Sequence, residues 1–302
     1  MRLDDQRESG NFQDDTGRSG SGFGGGGGFG GGGLGLIFSL VASRFGIVGI
    51  LLLALGYCAL TSLGGGGGGI LGGGSSSSTP SASAPAGQSN LDPTTRQFLL
   101  RVLGSTEDTW TKLFAANGKQ YQPTTLVAYS GSGQSGCGAA QSAMGPFYCP
   151  TDKKIYLDAT FFTELSQRFQ APGDFAMAYV VAHEVGHHVQ DELGTLDRAH
   201  NAQARSSQTD GNAIQVGVEL QADCFAGVWA ATARDSKGQT LMEPGDVEEG
   251  MRAAQAIGDD TLQKQSQGRV VPDSFTHGSS AQRMAALRKG LTTGDPAQCQ
   301  SL

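Results

Sequence analysis

The chain is poor in charge, and above all in positive charge. Charged residues make up 16% of its 302 positions, the formal net charge is -7, and the pI is about 5.2. Lysine and arginine form no cluster along the sequence. Binding to a phosphate backbone requires a basic patch of that kind, so the composition excludes nucleic acid as a partner.

Cysteine is scarce as well, with five in the whole chain. None of the spacings is the short one that builds cysteine zinc sites, which excludes a metal site of that type. Cys58 stands in an apolar segment, and the other four allow three disulfide pairings. We expect Cys137 to pair with Cys149, in loop-like sequence nearby, and Cys224 with Cys299. The alternative for the second pair is a buried free Cys224 and an unpaired Cys299.

Glycine is distributed unevenly, which divides the chain into two parts. Residues 1–90 hold 27 of the 48 glycines, and the remaining 212 residues hold 21. A glycine-rich segment cannot bury enough apolar surface to offset the entropy of ordering it. We therefore expect a disordered tail over 1–44, a flexible linker over 64–90, and a single folded domain over 91–302.

Between the tail and the linker, 19 residues (45–63) are apolar and carry no charge. A helix of this length would span about 28 Å, the thickness of a bilayer core, so the segment predicts one transmembrane helix. Arg44 and three arginines upstream predict a cytoplasmic N-terminus and a domain in the periplasm or outside the cell. The alternatives are a cleaved signal peptide and a buried core helix.

Two of the five histidines stand in the segment HEVGH, at His183 and His187, with Glu184 after the first. The apolar residues before them predict a helix that Asp174 caps and that ends near Gly194. Imidazoles four positions apart lie on one face of a helix and can bind one zinc ion. The carboxylate between them can act as general base on a water molecule. This spacing predicts a catalytic zinc site; the alternative is a pair of core histidines.

Catalytic zinc needs a third protein ligand, and we expect it from a later helix (NAIQVGVELQADCFAGVWAATAR). Glu219 and Asp223 lie one turn apart on that helix among apolar neighbours. Glu219 is the predicted third ligand. Asp223 is predicted to accept a hydrogen bond from a zinc-bound imidazole and so to orient it. The alternative for both acids is a solvated acidic face.

Two further elements are expected near the zinc. His277 precedes a C-terminal helix that Ser279 or Ser280 caps, and it is a candidate for a supporting role at the site. The sequence FYCPTDKKIYLDATFF predicts two short strands, 146–149 and 154–157. If one is an exposed edge strand beside the metal, it could bind an extended peptide through main-chain hydrogen bonds.

Four long strings resemble those of the Putative neutral zinc metallopeptidase family of bacteria. They are GCGAAQSAMGPFYCPTDKKIYLD, VVAHEVGHHVQ, VELQADCFAGVWA and AIGDDTLQKQSQGRVVPDSFTHGSSAQR, and the likeness covers nearly all of residues 90–302. The resemblance implies a zincin-like α/β fold of α+β type, mostly helical with a small sheet. It also implies zinc as cofactor, with His183, His187 and Glu219 as ligands and Glu184 as the catalytic carboxylate. A similarity to membrane-linked gluzincins favours supporting roles for His277 and Arg283.

The sequence therefore predicts a single-pass, membrane-tethered zinc metallopeptidase that hydrolyses peptide or protein substrates. Zinc would polarise the scissile carbonyl and lower the pKa of its water, and Glu184 would transfer the proton to the leaving amine. One alternative is a zinc-binding scaffold or interaction protein that hydrolyses nothing. Another is a zinc hydrolase that acts on a non-peptide bond, for example in the cell wall.

Overall fold

The computed structural model describes residues 1–17 and 89–300, which form an α+β structure, mostly helical with a small sheet. In chain order the strands and main helices of this part are β1 (Phe12–Asp14), α1 (Pro93–Ala116), β2 (Thr125–Tyr129), β3 (Ser132–Ser135), β4 (Gly138–Gln141), β5 (Phe147–Cys149), β6 (Lys154–Asp158), α2 (Thr160–Gln167), α3 (Asp174–Glu192), α4 (Thr195–Gln203), α5 (Gln208–Thr232), α6 (Asp246–Ala256), α7 (Asp259–Gln267) and α8 (Ser280–Thr293).

A four-stranded sheet has the order β1-β2-β6-β5. Strands β1, β2 and β6 are parallel, and β5 pairs antiparallel with β6, with Phe147 opposite Tyr156. The central strands are rich in apolar and aromatic residues and are largely buried, as expected of strands covered on both faces. The two strands predicted from the sequence are confirmed as β5 and β6, and β5 lies at the edge of the sheet.

Helix α3 carries the histidine pair and is buried along most of its length. Gly173 precedes it with φ of 130°, a backbone conformation that residues with a side chain rarely adopt. Asp174 is therefore the first residue inside the helix, and the prediction that it caps the helix is wrong. The helix ends at Glu192, and Gly194, with φ of 69°, turns the chain close to the predicted end.

Helices α3 and α5 pack closely because a glycine lies at their contact. A Cβ atom on Gly186 would lie 2.9 Å from the carbonyl oxygen of Ala222 and 3.1 Å from its Cα atom. Gly186 is one of the three residues between the histidines of the HEVGH segment, so the close approach occurs at the level of the imidazoles. It brings the acids of α5 within reach of the histidines of α3.

Helices α5 and α8 cross at a pair of glycines, Gly227 and Gly290. A Cβ atom added to either one would clash with the backbone of the other helix. The disulfide Cys224–Cys299 links the segment after α8 to α5, with Cα atoms 5.6 Å apart. The second disulfide joins Cys137 to Cys149. Both pairings expected from the sequence are confirmed.

Residues 1–17 are folded onto the domain, which contradicts the predicted disorder of this part of the tail. Strand β1 pairs with β2 in the sheet, with Phe12 opposite Leu126. Met1 and Leu3 are buried in the same core as the helices. The average composition of residues 1–90 does not describe residues 1–17. These residues are a mixture of polar and apolar types, and the long glycine runs come after them.

The predicted transmembrane helix, 45–63, lies outside the described residues, as does nearly all of the predicted linker 64–90. Within 1–17 and 89–300, no helix combines the length and the apolar character that a membrane crossing requires. Membrane attachment through residues 45–63 therefore stays a prediction.

Candidate metal centre

The side chains of His183, His187 and Glu219 converge, with one ligand atom of each within 4.8 Å of the others. The two imidazoles lie one turn apart on α3, with ring centroids 4.7 Å from each other. One oxygen of Glu219 lies 3.2 Å from Nε2 of His183 and 3.6 Å from Nε2 of His187. The geometry thus brings together the three residues that the sequence nominates as metal ligands.

Hydrogen bonds at Nδ1 orient both imidazoles. Nδ1 of His183 lies 2.8 Å from Oδ1 of Asp223, and Nδ1 of His187 lies 2.9 Å from Oε1 of Gln190. The amide nitrogen of Gln190 donates to the carbonyl oxygen of Val218 at 2.7 Å, which turns its oxygen toward His187. Because both partners are acceptors, each ring donates its Nδ1 proton and keeps the Nε2 lone pair for a metal ion.

Asp223 is held in a fully buried network. Its carboxylate accepts a hydrogen bond from the hydroxyl of Tyr179 at 2.6 Å. The guanidinium of Arg283 donates to both of its oxygens, at 2.9 and 2.8 Å. Burial would raise the pKa of Asp223, but the positive charges of Arg283 and His183 lower it to about 2. The carboxylate is therefore ionised, and it fixes the ring of His183.

Glu184 lies between the ligands and is 6% exposed. Its Oε2 atom is buried and has no hydrogen-bond partner among the described residues. Burial raises its pKa, although the neighbouring imidazoles act in the opposite direction. A buried carboxylate oxygen without a donor is costly, so its retention points to a ligand or a reaction that uses it.

The charges around the histidines favour a cation between them. Burial alone would lower the pKa of His183, yet the carboxylates of Asp223 and Glu219 raise it to about 10. The pKa of Glu219 is held well below its usual value by His187 and His183, against the effect of burial. Positive charge at this position therefore stabilises the site, and either protons or a divalent metal ion can supply it.

His277 lines the same cavity, but its partner is Asp259. Its Nδ1 lies 3.3 Å from Oδ1 of Asp259. The other oxygen of Asp259 accepts the backbone N–H groups of Thr276, His277 and Gly278 at 2.7, 2.6 and 3.1 Å. Asp259 thus holds the whole 276–278 turn at the cavity, whereas no hydrogen bond joins His277 to His183, His187 or Glu219.

The metal ligands open into a cavity of about 540 Å³. Strand β5 forms part of its wall through Phe147 and Tyr148. Much of the remaining wall is apolar, contributed by Met144, Phe161, Phe169, Leu196, Ile257 and Leu262. An edge strand, an apolar wall and a set of metal ligands therefore meet in one cleft.

The other two histidines stand apart from the ligands. His188 is buried, with Nδ1 3.0 Å from the hydroxyl of Tyr148 and Nε2 2.6 Å from the carbonyl oxygen of Gln122. Burial lowers its pKa. His200 is exposed at the rim of the cavity. The partners of His188 hold both of its ring nitrogens away from the metal ligands, and no described hydrogen bond joins His200 to them.

Sequence reasoning missed Tyr179 and Gln190. Tyr179 stands one turn before His183 on α3, and Gln190 stands one turn after His187. The helical period could therefore have placed both on the face that carries the histidines. Arg283 was a candidate for a supporting role near the site, and the family resemblance favoured it. Its contact with Asp223 follows from the crossing of α5 and α8, which no local pattern reveals.

The H-E-x-x-H helix is the metal-binding element of a large class of zinc hydrolases. Within that class, the chain belongs to the family described as Putative neutral zinc metallopeptidase, whose family model matches residues 1–302. The Escherichia coli K12 protein named Uncharacterized protein YpfJ is 52% identical over 205 residues, which is 68% of this chain and 70% of the relative. Uncharacterized protein Mb2605 of Mycobacterium bovis and Uncharacterized protein Rv2575 of Mycobacterium tuberculosis are each 45% identical over 189 residues, 60% of this chain and 63% of each relative. No solved structure matches the chain significantly.

Proposed function

We propose that the protein is a zinc metallopeptidase that hydrolyses peptide bonds in the cleft between α3, α5 and β5. The observation that carries this proposal is the convergence of two Nε2 atoms and one carboxylate oxygen beside Glu184, whose Oε2 atom has no hydrogen-bond partner in the described part of the chain. A core histidine pair would need no such acid. A structural zinc site usually has four protein ligands, whereas three ligands and an open position are typical of catalytic zinc.

The donor set fits zinc in type and in orientation. His183 and His187 present their Nε2 atoms, and Glu219 presents an ionised oxygen to the same point. Asp223 and Gln190 fix the rings from behind, which raises the basicity of the ligands. When bound, zinc lowers the pKa of a water molecule and polarises a carbonyl group.

Glu184 is the proposed general base. Its buried carboxylate would take a proton from the attacking water and pass it to the nitrogen of the departing amine. The pKa of Glu184 is raised by burial, which makes its carboxylate a better proton acceptor. Proton transfer of this kind contributes about 10²–10⁴-fold to a rate.

Strand β5 is the proposed binding edge for the substrate main chain. It pairs with β6 on one side, and its other side is not paired with a strand of the described sheet. Phe147 and Tyr148 place this strand in the wall of the cleft. An extended peptide could add to it by backbone hydrogen bonds. Peptides N-methylated at alternate residues should then bind more weakly than unmodified ones, and equal binding would exclude this mode.

His277 is proposed to act on the substrate rather than on the metal ligands. Asp259 holds its Nδ1, which leaves Nε2 for a group bound in the cavity. A carbonyl oxygen that gains negative charge during hydrolysis is the group such a donor would stabilise. This role differs from the support of the zinc ligands that the sequence suggested.

The proposed location is the periplasm or the outside of the cell. The two disulfides support it, because such bonds persist in oxidising compartments and are rare in the cytosol. Attachment to a membrane through residues 45–63 is part of the proposal and rests on the length and apolar character of that segment.

The experiment that tests the function is product analysis by mass spectrometry on a peptide library. The full-length protein should generate new peptide termini, and a zinc chelator should abolish them. Glu184→Gln should keep one zinc per chain and lose about 10²–10⁴-fold in turnover. Glu164→Gln, at an exposed i,i+4 ion pair with Arg168, is the matched control and should be unaffected.

Two results would overturn the proposal. Stoichiometric zinc with no cleavage of any peptide would favour a zinc-binding scaffold. Release of fragments from cell-wall material, with no peptide-bond cleavage, would favour a hydrolase of another bond. Full activity in Glu184→Gln would remove the assigned role of that residue even if peptides are cleaved.

A further inference from the structure

The described residues on the two sides of positions 18–88 are in contact with each other. The backbone N–H of Asn90 donates to the hydroxyl oxygen of Thr16 at 2.9 Å, and its side-chain amide donates to the carbonyl oxygen of Thr16 at 2.9 Å. The hydroxyl of Ser89 donates to the carboxylate of Asp14. Residues 14–16 and residues 89–90 are thus joined by three hydrogen bonds.

Residues 1–17 also complete a buried charge site on α1. Glu107 is 3% exposed. Its carboxylate accepts hydrogen bonds from the hydroxyl of Ser9 at 2.6 Å, the amide of Asn11 at 2.8 Å and the guanidinium of Arg7 at 2.7 Å. Each of these donors comes from the N-terminal segment. Without that segment the carboxylate would be left without these donors, which is strongly unfavourable for a buried charge.

Helix α1 is shaped to receive the segment. A Cβ atom on Gly104 would clash with the backbone carbonyl of Arg7 and would lie 3.3 Å from the backbone nitrogen of Ser9. Glycine inside a helix is less stable than alanine by about 0.5–1 kcal/mol. The close approach of residues 7–9 explains why this helix has a glycine there.

We propose that residues 104–108 of α1, together with the edge of β2, form a receptor for residues 1–17 in the native protein. Residues 1–17 and 89–300 then lie on the same side of any membrane to which the chain is bound. A segment that crosses a bilayer once has its ends separated by about 30 Å of hydrocarbon. Hydrogen bonds of 2.9 Å between Thr16 and Asn90 are incompatible with that separation. The predicted arrangement, a cytoplasmic tail with an external domain, is therefore replaced by one in which residues 1–17 and 89–300 share one side.

Cross-linking in intact cells tests the receptor. In full-length protein with Cys58→Ser, cysteine pairs are introduced at two contacts, Asp14 with Ser89 and Asp5 with Ser236. A short membrane-permeant bis-maleimide is added, and linked peptides are quantified by mass spectrometry. Both contact pairs should link at least about tenfold more than the swapped pairs, 14 with 236 and 5 with 89, which are not hydrogen-bonded contacts in the described part.

A matched pair of glycine variants tests the shape of the receptor. Gly104→Ala should displace residues 7–9 and lower the linking of positions 14 and 89 severalfold. Gly211→Ala, in helix α5 with no atom within 4 Å of its added Cβ, should leave linking unchanged. Arg7→Ala is a milder variant that removes the ion pairs to Glu107 and Asp108 without a clash, and it should lower linking in a domain that still folds.

Labelling with a membrane-impermeant maleimide tests the side of the membrane. Single cysteines at Asp4 and at Ser206, both exposed, should react equally in intact cells and equally after the membrane is opened. Labelling of one position from outside and of the other only after opening would overturn the inference. So would contact pairs that link no better than swapped pairs. Neither result depends on zinc or on peptide hydrolysis.

Discussion

Two clusters of potential metal ligands include residues of helix α3, and they differ in the hydrogen-bond donors that their ligand atoms already have. One is His183, His187 and Glu219, in the middle of the helix. The other lies at its first turn and consists of Asp174, Asp246 and Glu249. Both bring ligand atoms within 4.8 Å of one another. By proximity alone, either could be taken for a metal site.

The carboxylates at the start of α3 are already paired with donors. The α-amino group of Met1 lies 2.7 Å from Asp174 and 3.3 Å from Asp246. Glu249 accepts the backbone N–H of Phe175 at 3.0 Å. In the histidine cluster, by contrast, the Nε2 atoms of His183 and His187 and the Oε2 atom of Glu219 face only one another within the described residues. There, Oε2 of Glu184 also has no hydrogen-bond partner. The comparison teaches that a metal site is recognised by ligand atoms without donors from outside the cluster rather than by the number of acids.

The largest expected effect is on zinc affinity, and it should follow a substitution in the histidine cluster but not one in the cluster of acids. Glu219→Ala should lower zinc affinity by more than about 100-fold, which exceeds the loss typical of an outer partner. Asp246→Asn should leave zinc affinity within about twofold, because its carboxylate already binds the Met1 amine. Competition with a chromogenic chelator measures both. Equal losses in the two variants would mean that the comparison is wrong.

A smaller loss of zinc affinity is expected when Asp223, which orients the ligand His183, is changed. Asp223→Asn keeps the shape of the side chain but removes the charge that fixes the ring of His183 and pairs with Arg283. Zinc affinity should fall by about 10–100-fold. Chelator competition again gives the value, with Asp273→Asn, an exposed residue outside the cavity lining, as the control. An unchanged affinity would show that the orientation of His183 does not depend on Asp223.

The acids at the start of α3 should matter for stability instead. Asp246 is 3% exposed, and it binds the Met1 amine and accepts the backbone N–H of Glu243 at 2.7 Å. Asp246→Asn should lower the free energy of unfolding by about 2 kcal/mol, the usual contribution of hydrogen bonds to a charged group. Urea denaturation of the metal-free protein measures it. No change in the midpoint would contradict the pairing.

The smallest expected effect is on pH dependence. Burial would lower the pKa of the Met1 amine, but the carboxylates of Asp174, Glu243 and Asp246 raise it from 8.0 to about 10. Its contribution to stability is therefore fully present below pH 8.0 and is lost as the pH rises through about 10. We expect a loss of about 1 kcal/mol, reduced by solvent screening. Acetylation of this amine should abolish the change.

Zinc affinity should respond to pH in the opposite sense and rise as the pH rises, because imidazoles that bind zinc must be deprotonated.

The centre of the site can be predicted from the sequence because its residues lie a few positions apart on the same helix. Residues four apart on a helix share a face, so the pairing of His183 with His187 and of Glu219 with Asp223 could be inferred from spacing. The edge strand β5 could be inferred from its composition and from the turn after it. These features depend on neighbours within a few positions.

The remaining features depend on contacts between distant parts of the chain. The interaction of Arg283 with Asp223 requires α8 to cross α5, which Gly227 and Gly290 permit. The folding of residues 1–17 requires a glycine and a glutamate on α1, about a hundred positions later. No periodic pattern links such positions, so the sequence alone suggested a disordered tail.

Zinc K-edge X-ray absorption on the full-length protein, with metal analysis of the same sample, tests the central claim most directly. We predict one zinc per chain with two imidazole nitrogens and at least one carboxylate oxygen among its ligands. The double variant His183→Ala with His187→Ala should bind no zinc, whereas Asp246→Asn should give the wild-type spectrum. A spectrum without imidazole ligands, or equal zinc in the double variant, would contradict the account.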